Sequence, residues 1–295
     1  MTALFQIAAH LPLWLLRLFG SALGLATWLL SPAYRRMFAQ NWTLAMGSNN
    51  GPLSVVAKWR AAAQAGQLVT ELPKIWCDPA SVQRMQIEGL ENLHQSVAAG
   101  RGVIILTPHL GAFELAPRAI GQHHPITVLY RPSRQPVVER LLQRLRPTPT
   151  VATAPANAAG VRQLLRTLKK GQAIGMLPDQ VPSKGDGQWA PFFGRPAYTM
   201  VLPMRLAQAT GAALVWALAL RTSDGWRLVL ETWEPVPETD SAMTLEQMVL
   251  QMNRKTEEMI LRKPEQYLWA YNRYKTPPQA GSASTQNQAA EGLPS

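Results

Sequence analysis

The chain has 295 residues, 47% hydrophobic and 16% charged, which supplies a sizeable core and excludes a disordered protein. Its 29 Lys and Arg against 18 Asp and Glu give a formal charge of +11 and point to an anionic partner: nucleic acid, an anionic membrane surface, a phosphorylated lipid or an acidic carrier protein. Cys77 is the only cysteine, so an intrachain disulfide and a thiolate-rich zinc or iron–sulfur site are excluded.

From Leu11 to Leu30 the chain reads LPLWLLRLFGSALGLATWLL, long enough to cross a hydrocarbon core as a helix, with Arg17 its only charge. A cleaved secretory signal carries Lys or Arg ahead of its apolar run, and residues 1–16 have neither. Residues 1–31 are therefore expected to be a retained membrane anchor. Arg35, Arg36, Lys58 and Arg60 follow it, and the positive-inside tendency puts the body of the protein in the cytoplasm. Pro12 and Arg17 suit a helix lying in the interface as well as one that crosses, and both remain open. Residues 32–80 read as membrane-proximal helices, at 33–46 and 54–76, with Trp42, Trp59 and Trp76 suited to a membrane boundary or to helix packing.

From residue 81 to residue 278 short β-rich runs alternate with helical stretches. Strands are expected at 84–88, 103–107, 126–130, 173–177, 213–220 and 227–231, and helices near 90–99, 112–121, 135–145, 158–170, 200–210 and 243–261. Such alternation predicts an α/β domain, a layered and largely parallel or mixed sheet flanked by helices, with ligands beyond the C-terminal strand ends. The small, polar stretch 279–295 is expected to be a disordered tail.

The segment GVIILTPHLGAFELA (102–116) carries the most chemistry. A strand ends at Thr107-Pro108, His109 follows in a turn, Gly111 frees the backbone, and Glu114 falls in the first turn of the next helix. On one continuous helix, residues five apart point away from each other. Pro108 and Gly111 break that continuity, so the Glu114 carboxylate is expected to reach one nitrogen of His109 and leave the other to accept a proton. The bland alternative is a buried histidine bonded to a carboxylate for structure. Backbone N–H groups near Leu110 and Gly111 are the candidate oxyanion donors.

HLGAFELA (109–116), LYRPSRQP (129–136), LPDQ (177–180), APFFGRPAYT (190–199), LAQATGAALV (206–215) and PEQYLWAYNRYKTPP (264–278) occur in the order found in the bacterial lipid A biosynthesis acyltransferases, and the chain resembles that family. The resemblance implies a glycerol-phosphate acyltransferase-like fold. It implies transfer of a fatty acyl chain from acyl carrier protein thioester to a hydroxyl of a phosphorylated lipid A precursor, of the Kdo2-lipid IVA type, at the cytoplasmic face of the inner membrane. It makes His109 the base and Glu114 its acidic partner, and Arg131 a phosphate-binding or site-organising residue. Arg134, beside it, is a further candidate for the precursor's phosphates. Asp179 and Gln180 match a DQ block, and Gly194 with Pro196 an FFG-x-P block. The chain departs from the family's pattern at Tyr271-Asn272-Arg273, where a His-Arg-Arg-like run is expected.

No Walker A, GxGxxG or GxSxG sequence occurs, and His10, His94, His109, His123 and His124 form no metal-binding pattern, so neither cofactor nor metal is expected. The basic residues are dispersed and no nucleic-acid motif is present. The remaining alternatives are acylation of another membrane lipid, a lysophospholipid or glycolipid, and a noncatalytic lipid-binding protein of the same fold.

Overall fold

The computed structural model describes residues 2–47, 52–83, 85–133, 135–237 and 242–277; the tail expected at 279–295 lies outside them. Five helices open the chain: α1 (Thr2–Ala9), α2 (Leu13–Leu30), α3 (Pro32–Met46), α4 (Pro52–Cys77) and α5 (Pro79–Gln83). Ser31 separates α2 from α3, its hydroxyl accepting the Tyr34 N–H while Pro32 occupies the first helical position, where no donor is needed.

Among the described residues α2 is the one helix long and apolar enough to cross a membrane, yet it lies along the protein. It runs antiparallel to α4, with Arg17 on Glu71, Ser21 on Gln67 and Trp28 against Trp59. Glycines let the two backbones touch. A Cβ on Gly24 would sit 2.2 Å from the Ala62 carbonyl oxygen, and one on Gly66 2.1 Å from that of Gly20. The Arg17 guanidinium also donates to the carbonyls of Thr222 and Gly225 at 2.5 and 2.6 Å. Glu71 is fully buried and takes Arg221 Nε at 2.8 Å on its other oxygen. Losing one member of such a cluster strands a buried charge and costs about 3–5 kcal/mol. The outward half of α2, including Trp14, Leu18, Phe19, Leu23, Leu29 and Leu30, stays exposed.

The strands are β1 (Gln86–Glu88), β2 (Val103–Leu106), β3 (Ile126–Tyr130), β4 (Val151–Pro155), β5 (Ala173–Met176), β6 (Gly187–Phe192), β7 (Arg195–Met200), β8 (Ala213–Arg221) and β9 (Trp226–Trp233). Seven form a central sheet in the order β1-β9-β8-β2-β5-β3-β4, parallel at every pairing except the β8–β9 hairpin. The later helices are α6 (Leu90–Ala98), α7 (Ala116–His123), α8 (Pro136–Leu145), α9 (Ala158–Lys169), α10 (Leu202–Thr210) and α11 (Leu245–Arg262), with 3₁₀ turns at Phe113–Leu115 and Pro264–Gln266. The chain is thus a mixed α/β protein with a helix-flanked sheet. β2 is buried on both faces, as an unbroken VIIL run in a central parallel strand requires. Its Ile104 and Leu106 join one core with Ile174 and Met176; Val103 and Ile105 join the other with Ala173, Ile126 and Val128.

Three strands escape the sequence pattern. β4 reads VATAP, with small residues and a proline that only an edge strand tolerates, and it is the sheet edge. β6 and β7 carry Pro191 and Pro196 and form a separate two-stranded ribbon. Phe193 and Gly194 turn it with φ of 47° and 73°, the left-handed pair that a two-residue hairpin demands.

On an unpacked helix Gly24→Ala would add about 1 kcal/mol of helix propensity. Here its methyl would push α2 off α4, an overpacking that costs about 1–3 kcal/mol. The melting temperature of Gly24→Ala in detergent is expected to fall; a rise would show that the helices do not touch at this residue.

Candidate active site

Parallel pairing of β2 with β5 sets Leu106 opposite Met176, and both strands end at the same edge of the sheet. His109 follows Leu106 by the interval that separates Asp179 from Met176, so the two loops deliver these side chains to one point. Asp179 is 2% exposed. Its Oδ2 accepts the backbone N–H of His109 and its Oδ1 faces Nδ1 of the same residue, each at 2.8 Å. On the far side of the ring the Gln180 amide nitrogen lies 3.0 Å from Nε2. One proton placement satisfies both contacts: Nδ1 carries the hydrogen and donates to Asp179, while Nε2 keeps its lone pair and accepts from Gln180. Phe113 packs edge-on against the imidazole at 4.8 Å.

Burial works to raise the Asp179 carboxyl, but the charge of His109 and the hydrogen bonds from its ring and backbone outweigh it and hold the group below the usual carboxylate range. Burial, and then the negative charge of Asp179, push the Tyr267 phenol well above its ordinary value, so it remains neutral. Arg273, 2% exposed, donates to the Tyr198 carbonyl and the Thr199 hydroxyl at 2.7 Å. The Tyr271 hydroxyl accepts the Val181 N–H at 2.9 Å and so braces the loop just past Gln180. Within the Tyr271-Asn272-Arg273 run, Tyr271 thus braces the Gln180 loop and Arg273 ties the segment to the β6–β7 ribbon.

The expected hydrogen bond between His109 and Glu114 does not form. Glu114 instead accepts from Arg146 Nε at 3.1 Å and from Trp76 Nε1 at 3.3 Å, and a second guanidinium nitrogen of Arg146 holds its other oxygen. The cause is the backbone between the two residues. Gly111 takes φ +62°, and a Cβ there would lie 2.2 Å from the Ala219 carbonyl. Gly111 N–H donates to Gln266 O at 3.0 Å and Ala112 N–H to Ala219 O at 2.7 Å. These bonds turn the 3₁₀ segment so that Glu114 faces α4 and the end of α8. The N–H groups proposed for an oxyanion are occupied as well, since Leu110 donates to Pro108 O at 2.7 Å. Side-chain donors, including Gln180, Arg146 and Arg131, line the cavity in their place.

His109 and Glu114 both open onto a cavity of about 670 Å³, within the range of small-molecule sites. Its apolar part is a slot between the sheet, which contributes Ile105, Ile126, Val128 and Gly175, and the α7–α8 layer, which contributes Ile120 and Leu142. Its polar part holds Arg131, Ser183 and Arg205. Arg131 is exposed, with a guanidinium nitrogen 3.4 Å from the Ser183 hydroxyl. Arg134 lies outside the described residues. Gly194 and Pro196 do not line the cavity; they form the turn and the Pro191-facing position of the β6–β7 ribbon.

The sequence model of bacterial lipid A biosynthesis acyltransferases matches residues 1–276. The chain is 32% identical over 219 residues to the lipid A biosynthesis palmitoleoyltransferase of Escherichia coli strain K12, covering 72% of this chain and 69% of that protein. It is 28% identical over the same length and shares to the lauroyltransferase of that organism. A lipid A biosynthesis acyltransferase of Haemophilus influenzae is 25% identical over 213 residues, 71% of this chain and 66% of the relative. The chain belongs to the bacterial lipid A biosynthesis acyltransferase family.

In this family member the carboxylate on the histidine comes from a different strand loop, a pairing that a local motif search passes over. The signal was present as equal intervals past two adjacent strand ends. Arg146 carried none, being one of several arginines near the end of α8.

Because the folded-state pKa of Asp179 is depressed, its ionic contribution to stability is complete above the unfolded value near 3.9 and is lost as pH falls through the folded value. Asp179→Asn should therefore melt below the wild type at pH 7, with the gap narrowing below about pH 4. A gap unchanged from pH 7 to pH 3 would assign the loss to packing alone.

Proposed function

We propose that this protein moves a fatty acyl chain from the thioester of acyl carrier protein to a hydroxyl of a phosphorylated lipid A precursor of the Kdo2-lipid IVA type. The observation that carries the reading is an imidazole with Nδ1 on a buried carboxylate and Nε2 at the mouth of a slot walled by aliphatic side chains. The acceptor hydroxyl takes the place of the Gln180 amide at Nε2 and gives up its proton as its oxygen attacks the thioester carbonyl carbon. The carbon–sulfur bond then breaks, the thiolate leaves, and the imidazolium returns the proton to sulfur. Asp179 fixes the tautomer and stabilises the imidazolium, as the acid does in a serine-protease triad. Glu114 holds Arg146 at the cavity, where its charge opposes the developing oxyanion. Arg131 is the proposed contact for the acceptor's phosphate. The apolar slot, of glycerol-phosphate acyltransferase type on this reading, takes the acyl chain.

The same proposal places the protein on the cytoplasmic face of the inner membrane, with α2 in the plane of the bilayer. Arg17, in the second turn of α2, is tied to Glu71 and to the β8–β9 turn. α4 packs along α2 from Trp59 to Glu71, so a crossing orientation would carry Arg60 and the Arg17–Glu71 pair toward hydrocarbon with it, whereas an in-plane helix buries only its outward apolar half.

His109→Ala is expected to lose about 10²–10⁴-fold in acyl transfer while remaining folded, measured with carrier-protein thioester and purified lipid acceptor. Near-normal turnover in that variant would sink the mechanism. Gly175 tests the slot independently, since a Cβ there would meet only the ends of Val128 and Ile126 at 3.1 and 3.3 Å and so fits with slight yielding. Gly175→Ala should shift preference toward shorter acyl donors by about tenfold, the lower range for one methylene in an apolar pocket. An unchanged chain-length profile would move the acyl chain elsewhere.

A further inference from the structure

Beside the α2–α4 pair, apart from the His109 cavity, a second cleft of about 610 Å³ opens between α4, the β8–β9 turn and the Pro264–Gln266 turn. Its cations are Arg17, Arg60, Arg221, Arg227 and Lys263, against a single lining carboxylate, Glu265. Not all of these are free. Arg17 and Arg221 share Glu71, and Arg227 meets Glu88 at 3.2 Å. Arg60 and Lys263 form no ion pair among the described residues. They enter the cleft from different elements, α4 and the end of α11, with the Thr222 and Ser223 side chains between as polar company.

The depth of this cleft matters, and the argument for it rests on the in-plane membrane reading above. The exposed side chains of α2 are apolar almost throughout and lie opposite the face that packs on α4. An interfacial helix sinks its apolar face about 5–10 Å into the headgroup–acyl boundary. A helix is about 10–12 Å thick, so α4, directly behind α2, falls at the level of the lipid phosphates. Arg60, Ala63, Gln64 and Gln67 recur at helical spacing on one side of α4 and form that wall of the cleft. Its unpaired cations therefore stand where lipid phosphates are, on a protein whose net charge is +11.

We infer that this cleft receives the phosphate headgroup of an anionic membrane phospholipid, with Arg60 and Lys263 as its charge-bearing contacts. The lipid is a docking ligand, distinct from the acyl acceptor in the His109 cavity. It fixes the rotation of the protein about α2 on the membrane surface, which an apolar face alone leaves loose.

The test uses the full chain in detergent and the double variant Arg60→Gln/Lys263→Gln. Short-chain phosphatidylglycerol, kept below its micellar concentration, is titrated by calorimetry against the matching phosphatidylcholine and inorganic phosphate. Wild type should bind phosphatidylglycerol saturably at one site and more tightly than either comparison ligand. The double variant should lose about 30-fold in affinity, the effect of two basic residues at an anionic surface, while its melting temperature stays near that of the wild type. An Arg35→Gln/Arg36→Gln variant, altered outside the cleft, should keep the affinity. Equal losses in both double variants would reduce the effect to general surface charge and overturn the site. Inorganic phosphate binding as tightly as the lipid would overturn the assignment to a headgroup. Vesicle flotation separates this inference from the membrane reading. Wild type that floats with neutral vesicles but shows no phosphatidylglycerol preference fails only the cleft, whereas wild type that floats with neither fails the in-plane reading itself.

Discussion

A carboxylate buried to 2% exposure has to be hydrogen-bonded on both oxygens, and Asp179 obtains both bonds from His109, one from its ring and one from its backbone. That requirement binds the loop after β2 to the loop after β5. It also sets the histidine's chemistry, because a ring held by an acceptor at Nδ1 presents a lone pair at Nε2. Tyr267, Tyr271 and Arg273 arrive from the C-terminal segment and close the remaining sides. Tyr271 braces the Asp179 loop through Val181, and Arg273 ties the segment to the β6–β7 ribbon through Tyr198 and Thr199. The site depends on chain ends that meet only when the sheet is complete.

The second carboxylate has a different task. Glu114 spends its oxygens on Arg146 and the indole N–H of Trp76, and the Arg146 guanidinium lies 5.8 Å from the centre of the Trp76 ring. Trp76 in turn stacks on Phe5 of α1 at 6.0 Å. The cavity wall and the N-terminal helices are thus one packed unit. Two aromatic rings, Phe5 and Trp76, link α1 by direct contact to the Glu114–Arg146 pair.

Much of this was legible from residue order. Unbroken apolar runs such as VIIL predicted the central strands because a strand buried on both faces cannot carry polar residues. The short weak strands were not legible, since VATAP at the edge and the proline-bearing ribbon have too little periodicity to register. His109 was readable from its place past a strand end. The carboxylate that bonds its ring was not legible, because the direction of the turn between His109 and Glu114 is set by bonds to Ala219 and Gln266, far along the chain. The phosphate-side candidates divided in the same way: Arg131 and Gln180 reach the cavity, while Gly194 and Pro196 serve a hairpin whose geometry explains those residue types without any ligand.

The apolar run 11–30 illustrates how one charge alters a membrane assignment. By composition it is a spanning helix, and Arg17 looks like a blemish in it. In the fold that arginine is the residue that holds the helix to the body, through a buried glutamate and two carbonyls of the β8–β9 turn. Three glycines then bring the α2 and α4 backbones into contact over successive turns. A helix committed in this way from Arg17 to Gly24 has one apolar face left exposed. On the proposed reading this is an advantage, because an enzyme that joins a soluble thioester to a membrane-held acceptor needs its slot at the bilayer surface. An in-plane α2 packed on α4, whose Trp76 lines the cavity, keeps it there, whereas a tethered spanning helix leaves its depth free to vary.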